Sequence, residues 1–130
     1  MNREILSRGK RTDNGEWVEG FYWKDIWGDD TEYIYYDGES YKVIPDTVGQ
    51  CTGLTDKNGK KVFEGDIVKH YNHCRIKEYS EDIGRVFYYA ETCRFLRTSK
   101  LFPNDCPEMY SGIEYEVIGN IHDNPELLEG

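Results

Sequence analysis

Consecutive β-hairpins closing a small barrel or two packed sheets, an all-β or strongly β-dominated fold, are what this sequence predicts. Three observations carry that expectation. Tyrosine is abundant, with 11 Tyr beside 5 Phe and 3 Trp, and aromatic residues favour a pleated, half-buried surface. Turn steps recur between apolar runs, at Asn14-Gly15, Asp37-Gly38 and Asn58-Gly59. Such steps are strong hairpin signals, because both central positions of a type I′ turn need positive φ. No segment sustains a 3.6-residue apolar period, so helix is expected only as short turns.

Taken in chain order, EILSRGKR and EWVEGFYW flank Asn14-Gly15 as the first hairpin. In the second flank Trp17, Glu19, Phe21 and Trp23 share one face and Val18, Gly20 and Tyr22 the other, by the period-2 alternation of a strand. Large apolar groups on both faces predict a strand partly covered on both sides. TEYIYYD and ESYKVIP pair around Asp37-Gly38, closed by Pro45. CTGLTD and KKVFEGDIVKHY pair around Asn58-Gly59, and a corner at Gly65-Asp66 launches the strand that follows. Residues 72–82 are polar and predict an exposed loop. GRVFYYAETCRFLRT supplies two strands joined by Ala90-Glu91-Thr92, and residues 101–112, with two prolines, predict a long loop. In IEYEVIG the apolar Ile113, Tyr115 and Val117 alternate with Glu114 and Glu116. DNPELLEG predicts one helical turn with Asn124 as N-cap and Pro125 in first position. VFEGDIVK and GRVFYY are similar to strands of small SH3-like barrels. A chain of 130 residues fits a single domain over 1–130, or two small β subdomains meeting near 45–55.

Charge narrows the range of partners. The chain carries 16 basic and 25 acidic residues, a net charge of −9, which disfavours nucleic acid phosphates and anionic membranes. Cysteines stand at Cys51, Cys74, Cys93 and Cys106 with no C-x-x-C pair, and MNREILSRGKR is polar where a signal peptide needs an apolar core. No apolar run approaches the ~18 residues of a membrane span. Free thiols and a cytoplasmic location are therefore expected.

The candidate chemistry is thin. DKNGKKVFEGD (56–66) looks at first like a phosphate loop, yet Gly59-Lys60-Lys61 lacks the first glycine, the hydroxyl residue and the following helix that such a loop requires. Glu64 and Asp66 could form a carboxylate pair, but Gly65 between them reads as a bend. His70-x-x-His73-Cys74, completed by Cys93 or Cys106, offers zinc-type donors in a spacing that matches no common zinc pattern. His122 and Asp123 could orient one another, and Cys51 reads as a small core residue. No catalytic, cofactor-binding or metal-binding residue is therefore assigned, and the chain is not expected to be an enzyme. Lys60, Lys61, Lys69, Arg75 and Lys77, with Phe63 and Tyr71, form a basic stretch over 57–77 that could stack on single-stranded nucleic acid; lysines guarding a sheet edge explain it equally well. Trp23, Trp27 and the Tyr33–Tyr36 run are where interface anchors would be sought, although a buried core is the location expected for them. Open sheet edges leave room for self-association.

The order RGKRTDNGEWVEGFYW, then IPDTVGQCTGLTDKNGKKVFEGDIVK, then YEVIGNIHDNPELLE closely resembles the YopX family of phage and prophage proteins, over nearly the whole chain. The resemblance implies a small, mainly β, cytoplasmic protein encoded in a phage or prophage genome. It supplies no reaction, cofactor or active-site residue to carry over. Its matching positions, Gly9, Gly53, Asp56, Gly59, Gly65, Asp66, Gly119 and Asn120, are turn-forming types and imply hairpins and corners. The leading expectation is a non-enzymatic phage accessory protein acting through contact with a host or phage protein. Weak nucleic-acid binding through residues 57–77 is the alternative, and an enzyme assembled at an oligomer interface the third.

Overall fold

A computed structural model of the chain describes residues 5–71, 81–101, 107, 109 and 114–129. Ten strands form there: β1 (Ser7–Lys10), β2 (Trp17–Lys24), β3 (Glu32–Tyr36), β4 (Glu39–Lys42), β5 (Gly49–Thr55), β6 (Lys61–Phe63), β7 (Asp66–Tyr71), β8 (Glu81–Tyr89), β9 (Arg94–Arg97) and β10 (Tyr115–Asn120). Helix among the described residues is confined to 3-10 turns at Pro45–Thr47 and Pro125–Leu128. The strands make two antiparallel sheets, ordered β4-β3-β2-β1-β5-β6 and β10-β7-β8-β9, so the fold is all-β as predicted. The chain divides into two compact units, 1–51 and 52–130.

In the first unit, alternation along β2 turns Val18 and Gly20 inward. They meet Ile34 of β3 and Val43, and this core is flanked by Tyr41 and Val48. The strands curl until the far edge returns to the near one: Arg11 bridges Val43, and the Ile44 amide donates to the Lys10 carbonyl at 2.8 Å. Gly20 is required by this packing, since a Cβ there would lie 2.1 Å from the Tyr35 carbonyl oxygen. Asp37 (φ 49°) and Gly38 (φ 86°) both take positive φ, as the two-residue β3–β4 hairpin demands. The other two predicted hairpins also form, by a different device. There only Gly15 and Gly59 have positive φ, and a side chain organises each loop: the Asn14 carbonyl accepts the Glu16 amide at 3.0 Å, and Asp56 accepts those of Asn58 and Lys60, both at 2.9 Å.

In the second unit β7 and β8 are the inner strands, with β10 beside β7 and β9 beside β8. Val62, Val68, Val86, Met109 and Tyr115 form its core, with Leu54 and Val117 packed against it. The corner at Gly65-Asp66 is built by the buried Asp66 carboxylate, which accepts the Phe63 amide at 2.8 Å. The free Asp56 oxygen reaches across to the Val117 amide at 2.9 Å, tying the β5–β6 hairpin to β10. The register of β10 shifts between Val117 and Gly119, which marks a bulge.

Several expectations need correction. Gly9 and Gly119 lie inside strands rather than turns. A Cβ on Gly9 would sit 3.0 Å from Val43, and one on Gly119 would sit 2.6 Å from the Asn124 side chain, so close packing is what demands glycine there. Gly53 (φ 85°) lies within β5 and Asn120 ends β10. Glu81 and Asp82 belong to β8, and Asp82 is buried, not part of an exposed loop; residues 72–80 lie outside the described residues, as does most of 101–112. Asn124 precedes the final turn with Pro125 first, but its side chain makes no cap and instead accepts the Asn120 amide at 3.3 Å. The outer face of β2 is exposed rather than covered.

Candidate functional site

The outward face of the first unit collects aromatic rings. With Val18 and Gly20 inward, Phe21 and Trp23 must project to the other side. The β2–β3 ladder then sets Phe21 opposite Tyr35 and Trp23 opposite Tyr33. Trp23 and Tyr33 stack with centroids 4.4 Å apart and planes 15° from parallel, and the Trp23 indole donates to Ser40 at 2.9 Å. Phe21, Trp23 and Tyr35 nonetheless remain 49%, 41% and 44% exposed. At the end of the same hairpin the loop 25–31 carries Trp27, 94% exposed. That loop is firmly held. The Asp25 amide donates to Thr31 at 2.9 Å and the Asp30 amide to Asp25 at 3.0 Å, while Asp29 accepts both the amide and the hydroxyl of Thr31. The Thr31 hydroxyl and amide hold the Asp29 carboxyl below its ordinary pKa. Nearby, burial and then the Glu32 carboxylate, 2.7 Å from its hydroxyl, push the Tyr22 phenol up to about 12.

The second unit holds the most densely bonded polar cluster described. Alternation along β8 sends Asp82, Gly84 and Val86 inward, so a carboxylate shares the buried side of the strand with a core valine. One Asp82 oxygen accepts the Arg97 guanidinium at 2.7 Å and the Ser99 hydroxyl at 2.5 Å. The other accepts the amides of Ile83, Lys100 and Leu101 at 3.0, 3.0 and 3.1 Å. Burial by itself would raise the Asp82 pKa; the Ser99 hydroxyl, Arg97 and the Leu101 amide overcome it and leave the carboxyl below its ordinary value. Arg97 also donates to the Tyr115 hydroxyl at 3.2 Å and approaches His70 Nδ1 at 3.4 Å. A guanidinium can only donate, so Nδ1 accepts and the ring hydrogen sits on Nε2, which faces Glu114 at 3.2 Å.

The residues singled out from sequence are dispersed. His70 is engaged with Arg97 and Glu114; His73, Cys74, Cys106, Arg75 and Lys77 lie outside the described residues. Among the described residues no group of three His, Cys, Asp or Glu is placed to hold a metal ion. Glu64 lies in the turn before β7 while Asp66 is buried in its corner. The amides of His122 and Asp123 both donate to the Asn120 side chain. Cys51 is half-buried and Cys93 exposed, both as free thiols. In the basic stretch Phe63 is buried, Lys69 pairs with Glu81 at 3.8 Å and Lys57 with Glu116 at 3.7 Å, and Lys57 also lies over the Tyr71 ring at 4.1 Å. No helix among the described residues is long and apolar enough to cross a membrane.

The Asp82–Arg97 cluster was missed at the level of sequence, where polar composition around residue 82 reads as exposure. The alternation Asp82-Gly84-Val86 was the available signal. The aromatic face was half-seen: its rings were singled out, but the side of β2 that faces solvent was not.

No match was found among curated proteins. Among solved structures, the chain is similar to the crystal structure of protein EF1440 from Enterococcus faecalis, with a TM-score of 0.56 at 27% identity over 98% of this chain and 100% of that one. Residues 10–129 match the family described as YopX protein, and with the all-β hairpin order now in view, the chain belongs to that family.

Proposed function

We propose that the protein is a non-enzymatic accessory protein of a phage or prophage that acts in the host cytoplasm by binding another protein through the outer face of β2 and β3. The observation that carries this reading is the registered exposure of Phe21, Trp23 and Tyr35 with Trp27 beyond them. Aromatic side chains of this kind anchor protein interfaces, because they bury large area at low entropic cost. Contiguous exposed apolar surface on a folded domain marks an interaction site more often than an accident of composition. The phage or prophage origin follows from the character of the YopX family, and the free thiols of Cys51 and Cys93 suit a reducing compartment. A non-enzymatic role agrees with the Asp82 carboxylate being saturated by five internal donors, which leaves it little capacity for a substrate. Nucleic-acid binding through residues 57–77 is the weaker reading, since Phe63 is buried and Lys57 and Lys69 are paired with carboxylates.

Crosslinked co-purification from host lysate tests the proposal. The wild type is expected to recover a partner that a Phe21→Ser/Tyr35→Ser variant, equally folded by circular dichroism, does not. Recovery of nothing above background with the wild type, or equal recovery with the variant, would sink it.

A further inference from the structure

We infer that what docks at the Trp27 end of this face is a cationic protein segment, one bearing arginine or lysine. The inference rests on the protein-contact reading above and names the chemistry of the partner. Three carboxylates, Asp25, Asp29 and Asp30, stand in the loop at that end, against one cation on the aromatic face, Lys42 of β4, which is paired in register with Tyr33; Glu32 and Lys24 pair on the opposite face, where Glu32 accepts the Tyr22 hydroxyl. The imbalance is local as well as global, since the whole chain carries −9. Phosphates of a nucleic acid or an anionic bilayer would meet repulsion there, whereas a guanidinium or ammonium meets attraction.

The aromatic component selects the same chemistry. Trp is the best ring for a cation over its face, and a guanidinium can stack on a ring while its edge pairs with a carboxylate. Elsewhere in the protein such pairs are already made internally, with Arg8 4.7 Å above Trp17 and Arg11 4.4 Å above Tyr41. Trp27, almost fully exposed and two residues along the loop from both Asp25 and Asp29, is open to receive a cation from outside. The loop that presents it is pre-formed by bonds from Asp25, Asp30 and Thr31, so docking there forgoes most of the entropic cost of ordering a loop. Association should therefore be specific for sign of charge and weakened by salt.

Selection from a random 12-residue peptide display library, with the full chain as bait, tests this without knowledge of the natural partner. Enriched peptides are expected to carry more arginine and lysine than the starting library. Binding of the best of them, followed by fluorescence anisotropy, is expected to fall at least about tenfold in Trp27→Ala and in Asp29→Asn/Asp30→Asn. These variants leave the fold intact: Trp27 makes no core, Asn retains the acceptor that Thr31 uses, and Asn tolerates the φ of 62° at position 30. Enrichment of neutral or acidic peptides, unchanged binding in Trp27→Ala, or preferential binding of a single-stranded oligonucleotide, of anionic vesicles or of a second copy of the chain would overturn the inference. If Trp27→Ala still captures a lysate partner that Phe21→Ser/Tyr35→Ser loses, the protein-contact reading stands and the cationic docking falls. If lysate yields nothing while basic peptides bind through Trp27, the preference for cations stands and the host partner falls.

Discussion

Asp82 shows how a single residue can be decisive for a fold. Its carboxylate is 2% exposed and the Arg97 side chain 5%, so each removes the other's charge from an interior that would otherwise reject it. Asp82→Ala would leave the guanidinium buried, with Tyr115, the Thr98 carbonyl and His70 as its remaining contacts. A loss of about 3–5 kcal/mol is expected from breaking a buried pair on one side only, measurable as a lower urea midpoint. Replacing both partners, as in Asp82→Leu/Arg97→Met, should recover part of that loss, because no uncompensated charge remains. A double variant at least as unstable as Asp82→Ala would show that the pair is not the unit that matters. Phe21 is the opposite case, an exposed residue whose loss should leave stability nearly unchanged and weaken the proposed binding.

At the scale of the element, glycines inside strands mark where neighbouring backbones come closest. A Cβ on Gly84 of β8 would lie 1.8 Å from the Thr98 carbonyl oxygen, an overlap that only a backbone shift can relieve. Gly84→Ala is therefore expected to cost about 3 kcal/mol, the upper end for overpacking, and about 10 °C in melting temperature. Gly38→Ala, which meets nothing within 4 Å but keeps φ at 86°, should cost only about 1–2 kcal/mol from the left-handed backbone; equal losses at the two sites would refute the distinction. The same elements show what was legible beforehand. Turn signals located the hairpins at 14–15, 37–38 and 58–59, because the need for positive φ is written in local chemistry. The organiser of the third hairpin was less visible, since the Asp56 carboxylate fixes it through amides at Asn58, Lys60 and the distant Val117. The inward side of β2 was illegible from hydrophobicity, with large apolar groups on both faces. Gly20, pressed beneath the Tyr35 carbonyl, was the residue that could have decided it. Asp82 escaped because its partners Arg97 and Ser99 are 15 and 17 residues away, beyond any local pattern.

For the molecule as a whole, buried carboxylates predispose the fold to fail in acid. Asp56 repeats the logic of Asp82: burial would raise its pKa, but the amides of Val117, Lys60 and Asn58 outweigh burial and lower it. Both groups thus titrate in the folded chain below the ordinary carboxyl value of about 3.9 that they take when unfolded. Between those two values the unfolded chain binds more protons, so stability must fall as pH falls. The contribution is fully present above the unfolded value and is lost as pH drops through the lower folded one. Urea midpoints are therefore expected to change little from these groups between pH 8 and about pH 5, then to decline steeply below about pH 4. Asp56→Asn turns an amide donor toward the Val117 amide, much as the protonated acid would, and Asp82→Asn sets a neutral amide beside Arg97. Each variant should start less stable at pH 7 and lose less on acidification, so that the wild-type and variant curves converge at low pH. Parallel curves would mean that the acid sensitivity arises elsewhere among the 25 acidic residues, and that the two buried carboxylates do not set the lower pH limit of the fold.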